Sequence, residues 1–271
     1  MALNPRGLTE GHGAVQLLGW LCERHGVGTY IQLIDGMLDA KTHAESRNLR
    51  DRLIAMTQRD MPGLYVATMV SPSVRSAMAQ ILQMPGVSGL ENNTVLLDNG
   101  PGVDEDLLAR LVDDAMLAAD TGKNVLFLRD DGSRFGERRA IDVWLTRHDE
   151  RNAKLMVLLA YILAGHQDWK RARLRVFAAL PGQEIEDERQ QLLDLCEQGR
   201  IPIPERNIQF LEATSAEAYR SLVEEHSADA DLVIVGMTRD SLDNLGGERI
   251  EQHPALTHVL FVLACEDLDI E

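Results

Sequence analysis

His148 and Asp149 are the two residues of this sequence best placed for acid–base chemistry. They follow an aliphatic segment, 141–145, that has the pattern of a strand, and α/β proteins bind ligands at the carboxyl ends of their strands. A histidine beside a carboxylate can serve as acid and base. No Ser or Cys nucleophile in an elbow motif and no second metal-ligand pair accompanies them in the sequence. The pattern therefore favours a surface His148, with Asp149 or Asn152 capping a helix.

An acidic loop, Asp130, Asp131 and Ser133 around Gly132, has the residue types of a cation site. Calcium loops need carboxylates at alternate positions and a terminal Glu, and this spacing lacks both. Asp, Gly and Ser are also common turn residues. We predict a surface turn and no metal site.

A phosphate-binding loop is the third candidate, after segment 231–236. Nucleotide-binding universal stress proteins carry G-x2-G-x9-G-[ST] at this type of position, where backbone amides hold the phosphates. Here Gly236 is followed by Met237, Thr238 and Arg239, so the second Gly is absent, and Glu248 follows Gly246 and Gly247. The sequence therefore resembles that class in its strand and loop order but predicts no phosphate site and no cofactor.

A basic cluster stands out in an otherwise acidic chain: Trp169, Lys170, Arg171, Arg173 and Arg175. It could bind an acidic partner, a phosphate or a membrane surface. The other interpretation is a solvated loop and strand entry, in which Lys and Arg stems cover apolar surface.

The composition excludes several classes of function. The 271 residues carry 27 Lys and Arg against 43 Asp and Glu, a formal charge of −16, which disfavours nucleic acid because that affinity rests on neutralised phosphates. The three cysteines, Cys22, Cys196 and Cys265, are far apart, so neither a disulfide framework nor a zinc site is predicted, and a reducing cytoplasm is expected. The N-terminal residues lack a signal-peptide pattern, and the apolar run 155–164 is too short to cross a bilayer.

Alternating strand and helix patterns must position these residues. Predicted strands are 29–34, 64–70, 94–97, 124–128, 141–145, 174–179, 208–211, 231–236 and 257–263. Predicted helices are 42–59, 73–83, 104–119, 152–164, 185–197 and 215–226. Several strands are almost entirely apolar, as strands covered by helices on both faces should be. This order predicts an α/β fold with a mostly parallel, doubly wound sheet.

The chain also has an approximate internal repeat of architecture. Strands 29–34, 64–70 and 94–97 follow one another through helices as strands 174–179, 208–211 and 231–236 do. We therefore predict two similar halves, residues 1–121 and 122–271. The polar, Gly-containing segment 130–139 joins two strands, which predicts a hairpin-like excursion between them.

A family resemblance rests on four groups of residues. They are Asn93 and Thr94 in G-L-x-x-N-T-V-L-L, Ile141, Asp142, Val143 and Trp144 in I-D-V-W, His148 and Asp149, and the segment with Trp169, Lys170, Arg171 and Arg175. In this order they resemble the C-terminal cytosolic domain of cation-chloride cotransporters. Leu145 replaces the second Trp of the family's I-D-V-W-W, and Glu150 and Arg151 replace the Gly-Gly after His148 and Asp149.

The resemblance implies two universal-stress-protein-like halves with no catalytic residue. It also implies a homodimer attached to the membrane transport domain of the same polypeptide, at the cytosolic face of the membrane and without direct membrane insertion. From the sequence we place the dimer contact in the second half, where strand 257–263 ends the sheet and leaves an edge open. Two alternatives remain: a free-standing module that senses a nucleotide or small ligand, and an enzyme that uses His148 and Asp149.

Overall fold

The computed structural model describes residues 1–4, 13–24, 26–57, 61, 63–87, 89, 91–101, 103–149, 151–180, 187, 189, 190, 194 and 207–265. The chain forms two compact units, Met1–Leu128 (unit 1) and Arg129–Glu271 (unit 2). The units divide inside a strand, whereas the two predicted halves divide at residue 121.

Unit 1 alternates strands and helices along its length. Its elements are β1 (Ala2–Asn4), α1 (Gly13–Cys22), β2 (Gly28–Asp35), α2 (Ala40–Thr57), β3 (Leu64–Ser71), α3 (Val74–Gln83), β4 (Thr94–Asn99), α4 (Glu105–Asp120) and β5 (Asn124–Asp130). The strand order is β3-β2-β1-β4-β5. β1 pairs in parallel with both β2 and β4, which makes a three-residue strand the centre of this sheet.

Unit 2 repeats the same arrangement. Its elements are β6 (Ala140–Leu145), α5 (Asn152–Gly165), a 3-10 turn (Gln167–Trp169), β7 (Arg173–Leu180), β8 (Ile208–Glu212), α6 (Ala216–His226), β9 (Leu232–Gly236), α7 (Arg239–Leu245), α8 (Gly247–Ile250) and β10 (His258–Leu263). The order is β10-β9-β6-β7-β8, and the registers β10·β9, β9·β6, β6·β7 and β7·β8 are all parallel. The predicted mostly parallel α/β fold is confirmed.

The helix starts follow from local capping chemistry. Ser73 accepts a hydrogen bond from the Ser76 amide at 3.2 Å, Asp104 from Leu107 at 2.8 Å, and Ser215 from Ala218 at 3.0 Å. Each supplies an acceptor to an amide that the helix cannot satisfy. The expected cap on α5 is wrong, because no side chain caps its first turn.

Two other expectations fail for tertiary reasons. β6 pairs with β7 and β9 in parallel, so the segment 131–139 before it is not a hairpin turn. All six residues of β10 are buried, and β10 therefore presents no open edge. Strand β1, helix α1 and the two short helices α7 and α8 were not predicted. The predicted helix 185–197 falls largely outside the described residues.

Burial explains why α1 gives no helical signal. Seven of its ten residues, Gly13, Ala14, Val15, Leu17, Leu18, Gly19 and Trp20, are buried, so the helix has no polar face and no amphipathic period.

Within the described part of the chain, no helix combines the length and apolarity needed to cross a bilayer.

Candidate functional site

A cavity of about 590 Å³ opens in unit 2 at the carboxyl ends of the strands. The chain passes from β6 to β7 on one side and later returns to β9 on the other side of β6. Loops leave neighbouring strands in opposite directions at such a point, and α/β folds bind ligands in the crevice that results. The lining comes from the loop after β6, the start of α6 and the loop after β9, with Arg249 and Gln252 behind them.

Asp149 locks the loop after β6. Its Oδ2 accepts hydrogen bonds from the amide and hydroxyl of Thr146, at 2.9 and 2.7 Å, and its Oδ1 accepts one from Asn152 Nδ2 at 3.0 Å. The carboxylate is buried, and none of these bonds goes to His148. Asp149 therefore fixes a turn, and it is neither the helix cap expected from sequence nor a partner of His148 in acid–base chemistry.

Asn152 extends this lock to two further strands. Its Nδ2 donates to the Met237 carbonyl at 2.9 Å, and its Oδ1 accepts from the Ala264 amide at 2.8 Å. The loops after β6, β9 and β10 are therefore joined through one buried amide side chain. Glycine is needed at position 236 because a Cβ there would overlap the Asp149 carboxylate. We call Asp149, Asn152 and Gly236 the strand-end lock.

Arg249 forms the charged back wall of the cavity. Its Nη2 donates to the Gly236 carbonyl at 2.5 Å, and its guanidinium lies 5.2 Å from the centre of the Phe261 ring. Burial lowers the pKa of Arg249, with Tyr219 and Asp149 acting in the opposite direction. Burial raises the pKa of Tyr219, so the phenol stays neutral. Neither residue was identified from the sequence, since only the folded chain brings both to the lining of this cavity.

The loop after β9 does not have the form of a phosphate cradle. Thr238 and Ser241 form a reciprocal capping box at the start of α7, which occupies the Thr238 and Ser241 amides. Gly246 and Gly247 lie at the junction of α7 and α8 and do not line the cavity. Two backbone amides of this loop are therefore already bonded to side chains and are not available to a phosphate.

Two family-motif residues, Asp142 and Arg175, form an ion network with the exposed Asp229 below the cavity, at the other end of the strands. Arg175 donates to Asp142 through Nε at 2.6 Å and Nη2 at 2.8 Å, and Nη2 also contacts Asp229 at 2.7 Å. Burial raises the pKa of Asp142, and the Arg175 hydrogen bonds act against that rise. Beside the network, Trp144 donates to the Ser227 hydroxyl at 2.9 Å and stacks on Phe177 at 4.4 Å.

The remaining motif residues have different surroundings. Ile141 and Val143 are core residues of β6, and Trp169 is fully buried in the 3-10 turn, edge-on to Phe135 at 6.2 Å. His148, Lys170 and Arg171 are exposed. Asn93 and Thr94 lie at the start of β4 in unit 1, where the Thr94 hydroxyl donates to the Asn93 side chain at 3.0 Å. The motif therefore does not converge on one site.

The acidic loop forms a turn, as predicted. The Gly132 amide donates to Asp130 Oδ1 at 2.8 Å, and the Ser133 amide donates to Asp131 Oδ1 at 2.9 Å. Among the described residues, no three His, Cys, Asp or Glu side chains are grouped closely enough to hold a metal ion.

Comparison with known proteins gives a sequence match and a fold match. Residues 122–231 match the sequence model of solute carrier family 12. This segment contains Asp142, His148, Asp149, Trp169 and Arg175, while Asn93 and Thr94 lie outside it.

Solved structures resemble the chain over nearly its whole length. The crystal structure of the cytoplasmic domain of a prokaryotic cation chloride cotransporter has a TM-score of 0.64 at 15% identity, covering 99% of this chain and 97% of that one. A universal stress protein from Archaeoglobus fulgidus DSM 4304 has a TM-score of 0.55 at 13% identity, covering 100% and 97%. A putative universal stress protein from Pseudomonas aeruginosa UCBPP-PA14 has a TM-score of 0.55 at 17% identity, covering 96% and 90%.

The resemblance inferred from sequence is therefore confirmed: residues 122–231 carry the solute carrier family 12 pattern, on a fold shared with a cotransporter cytoplasmic domain and with universal stress proteins.

Proposed function

We propose that this chain is a cytoplasmic regulatory domain of a cation-chloride cotransporter, attached to the membrane transport domain of the same polypeptide. The observation that carries this proposal is the coincidence of two matches. The solute carrier family 12 pattern covers residues 122–231, and the fold of a cotransporter cytoplasmic domain covers 99% of the chain. In this function the domain acts on transport without conducting ions.

A non-catalytic function is supported by how the polar side chains are used. The Asp149 carboxylate accepts hydrogen bonds from Thr146 and Asn152 within the strand-end lock. His148 is exposed, with its ring 3.4 Å from the Arg147 side chain. Catalysis needs a base held within hydrogen-bond reach of a reacting group and oriented by a third group. The Asp149 carboxylate has its three hydrogen bonds inside the protein instead.

A direct test of the attachment is the coding sequence upstream of this chain. We expect it to continue in frame into several apolar segments, each of about 20 residues, as membrane-spanning helices require. The alternative, a free-standing sensing module, requires an in-frame start with no such segments. That outcome would overturn the proposed attachment.

The proposed function includes pairing of two copies. The exposed large apolar side chains are concentrated in unit 1, at Val27, Met37, Leu38, Met56, Tyr65, Met84 and Val87, against Tyr161 and Leu245 in unit 2. Because β10 is buried, the second-half edge expected from sequence is not available. We therefore place the pairing surface on unit 1, around Met56 of α2 and Tyr65 of β3, since exposed apolar side chains favour association.

The cavity of unit 2 supports a second candidate function, sensing of a small ligand. It lies at the crevice that α/β folds use for ligands, and its lining carries Arg147, Arg220 and Arg249 against Asp149 and Asp240, which favours an anion. The closed capping box after β9 disfavours phosphate chains there. This candidate is compatible with regulation. The strand-end lock joins the ends of β6, β9 and β10, so a ligand bound there would affect all three strands together.

A further inference from the structure

The guanidinium of Arg249 is a buried positive charge without an ion-pair partner. The residue is 8% exposed, and none of the ion pairs within the described part of the chain includes it. Its hydrogen bonds go to neutral acceptors: Nη2 donates to the Gly236 carbonyl and Nη1 donates to Gln252 Oε1, both at 2.5 Å. Asp149 acts on it only electrostatically, because the hydrogen bonds of that carboxylate stay within the loop after β6 and the start of α5.

A bound anion would offset the cost of this burial. Taking a charge out of water is unfavourable unless an opposite charge and hydrogen bonds replace the water, and burial does lower the pKa of Arg249. The guanidinium belongs to the lining of the cavity of about 590 Å³, so a molecule in that cavity lies against it. The lining as a whole carries three arginines and two aspartates, which adds to the attraction of an anion.

Tyr219 supplies a hydrogen-bond donor to the same cavity. Its ring lies edge-on to the rings of Trp144 and His253, with ring centres 6.0 and 6.2 Å apart. Among the described residues its hydroxyl has no hydrogen-bond partner. Burial raises the pKa of the phenol, so the hydroxyl keeps its proton and can donate it to an anion. Tyr219 and Arg249 interact electrostatically with each other, which places both groups in the same part of the cavity.

Much of the remaining lining is apolar. It comes from Ala179, Ala213, Ala216, Met237 and Leu245. These residues lie at or just after the ends of β7, β8 and β9, at the start of α6 and at the end of α7. A cavity with apolar walls and a few polar groups is typical of sites for small organic molecules. A matching ligand therefore has an apolar body as well as a negative group.

The negative group that suits this cavity is a carboxylate. A phosphate chain needs several free backbone amides, and two amides of the loop after β9 are bonded to the side chains of Thr238 and Ser241. A carboxylate needs no backbone amide, because a guanidinium and a hydroxyl can both donate to its oxygens. We propose that the cavity of unit 2 binds a small organic monocarboxylate, with the carboxylate held by Arg249 and Tyr219 and the apolar body against the apolar lining.

This inference rests on the second candidate function, the sensing of a small ligand, and names the class of that ligand. It is independent of attachment to a transport domain, because every residue that it uses belongs to unit 2. An organic acid bound beside the strand-end lock would then be the signal that the domain reads.

The test is calorimetric titration of the intact chain with benzoate, together with NMR of ring-labelled tyrosines. Benzoate should bind saturably, with a dissociation constant below about 1 mM. It should also shift the Tyr219 resonance, which is assigned by its absence in Tyr219→Phe. Acetate has the charge without the apolar body, and benzamide has the body without the charge. Each should bind at least about tenfold more weakly than benzoate.

Two pairs of variants locate the binding groups. Tyr219→Phe removes only the hydroxyl and should weaken benzoate binding at least about fivefold, whereas Tyr161→Phe makes the same change at an exposed position of α5 and should leave binding unchanged. Arg249→Gln, checked for folding by circular dichroism, should weaken binding at least about tenfold. Arg147→Gln removes an exposed arginine of the same lining and should weaken it less.

Several results would overturn the proposal: acetate or benzamide binding as tightly as benzoate, an unmoved Tyr219 resonance, or equal effects of the two variants in either pair. Titration with inorganic phosphate separates the ligand class from the sensing function. Phosphate binding more tightly than benzoate would overturn the carboxylate assignment and leave the sensing function standing. If none of the four compounds binds, the proposal and the sensing function both fail.

Discussion

Arg175 holds the fully buried carboxylate of Asp142 with two hydrogen bonds, from Nε at 2.6 Å and from Nη2 at 2.8 Å, and so joins β7 to β6 through their side chains. The two residues are also register partners in the sheet. Both belong to the sequence motif from which the family resemblance was inferred, so this part of the motif specifies folding.

Arg175→Ala should lower the free energy of unfolding by about 3–5 kcal/mol, because it leaves the Asp142 charge buried and uncompensated. Arg139→Ala is the control, since it removes an exposed pair with Glu137 and should cost less than about 1 kcal/mol. Urea unfolding followed by circular dichroism measures both. Equal effects of the two substitutions would contradict a structural role for the Asp142–Arg175 pair.

Gly236→Ala should destabilise the protein by about 1–3 kcal/mol, because overpacking forces a rearrangement and the new Cβ would overlap the Asp149 carboxylate. Gly165→Ala at the end of α5 is the matched control, since open space surrounds its Cβ position, and it should stay within about 0.5 kcal/mol. Thermal unfolding of the two variants checks this. A Gly236→Ala protein as stable as the parent would show that the Asp149 carboxylate can move away from residue 236 without loss of stability.

Residue spacing predicts most of this fold but little of its site. The strand and helix periods place β2 to β10 and the longer helices. Ser73 and Ser215 are identifiable as caps from their types alone, whereas Asn152 has the type of a cap but does not cap α5. The strand-end lock is not identifiable in this way. It joins Asp149, Gly236 and the Ala264 amide, which come together only when β6, β9 and β10 are adjacent, and β1 is too short to show a period.

The same reasoning explains the error at β10. From sequence order alone, the last strand is expected to end the sheet and leave an open edge. The parallel crossover places β9 and β10 on the other side of β6 from β7, and all of β10 is buried. Sequence order therefore did not indicate which strand is exposed.

His253 should make stability depend on pH in the acidic range. Its pKa is lowered to about 3 in the folded chain, against about 6.5 when unfolded. As the pH falls below about 6.5 the unfolded chain takes up this proton first, so stability is lost progressively down to about pH 3. His253→Asn should reduce the slope of unfolding free energy by up to about 1.4 kcal/mol per pH unit in that window.

Urea midpoints measured between about pH 7 and 4.5 for the parent chain and His253→Asn test this difference. His148→Asn, which replaces a histidine at an exposed position, is the matched substitution for comparison. If the His253→Asn slope equals that of the parent chain, His253 is solvated or already protonated in the folded protein.

ATP should bind weakly, with a dissociation constant well above about 10 µM, because the second glycine of the phosphate-loop pattern is absent after Gly236 and the capping box occupies the Thr238 and Ser241 amides. Calorimetry with Mg-ATP and, separately, with adenosine distinguishes phosphate recognition from base recognition. A low-micromolar constant for ATP and none for adenosine would contradict this account of the loop after β9.

The chain should form a dimer in solution, with a mass twice its 30.2 kDa. Tyr65→Glu, on the exposed part of β3, should shift the equilibrium toward monomer, whereas Tyr161→Glu on α5 should not; the two tyrosines are 51% and 46% exposed. Light scattering after size exclusion should be run at low and high salt, because the charge of −16 per chain opposes association when it is unscreened. A monomer at all concentrations, or a stronger effect of Tyr161→Glu than of Tyr65→Glu, would contradict pairing through the unit 1 surface.

The most direct test of the regulatory function is uptake of labelled chloride by a transporter that carries this chain, compared with the same transporter lacking it. The amount of transporter in the membrane must be matched between the two samples. We predict that uptake per transporter falls when the domain is deleted and that Tyr65→Glu lowers it in the same direction. Unchanged uptake per transporter after deletion would contradict a regulatory function for this domain.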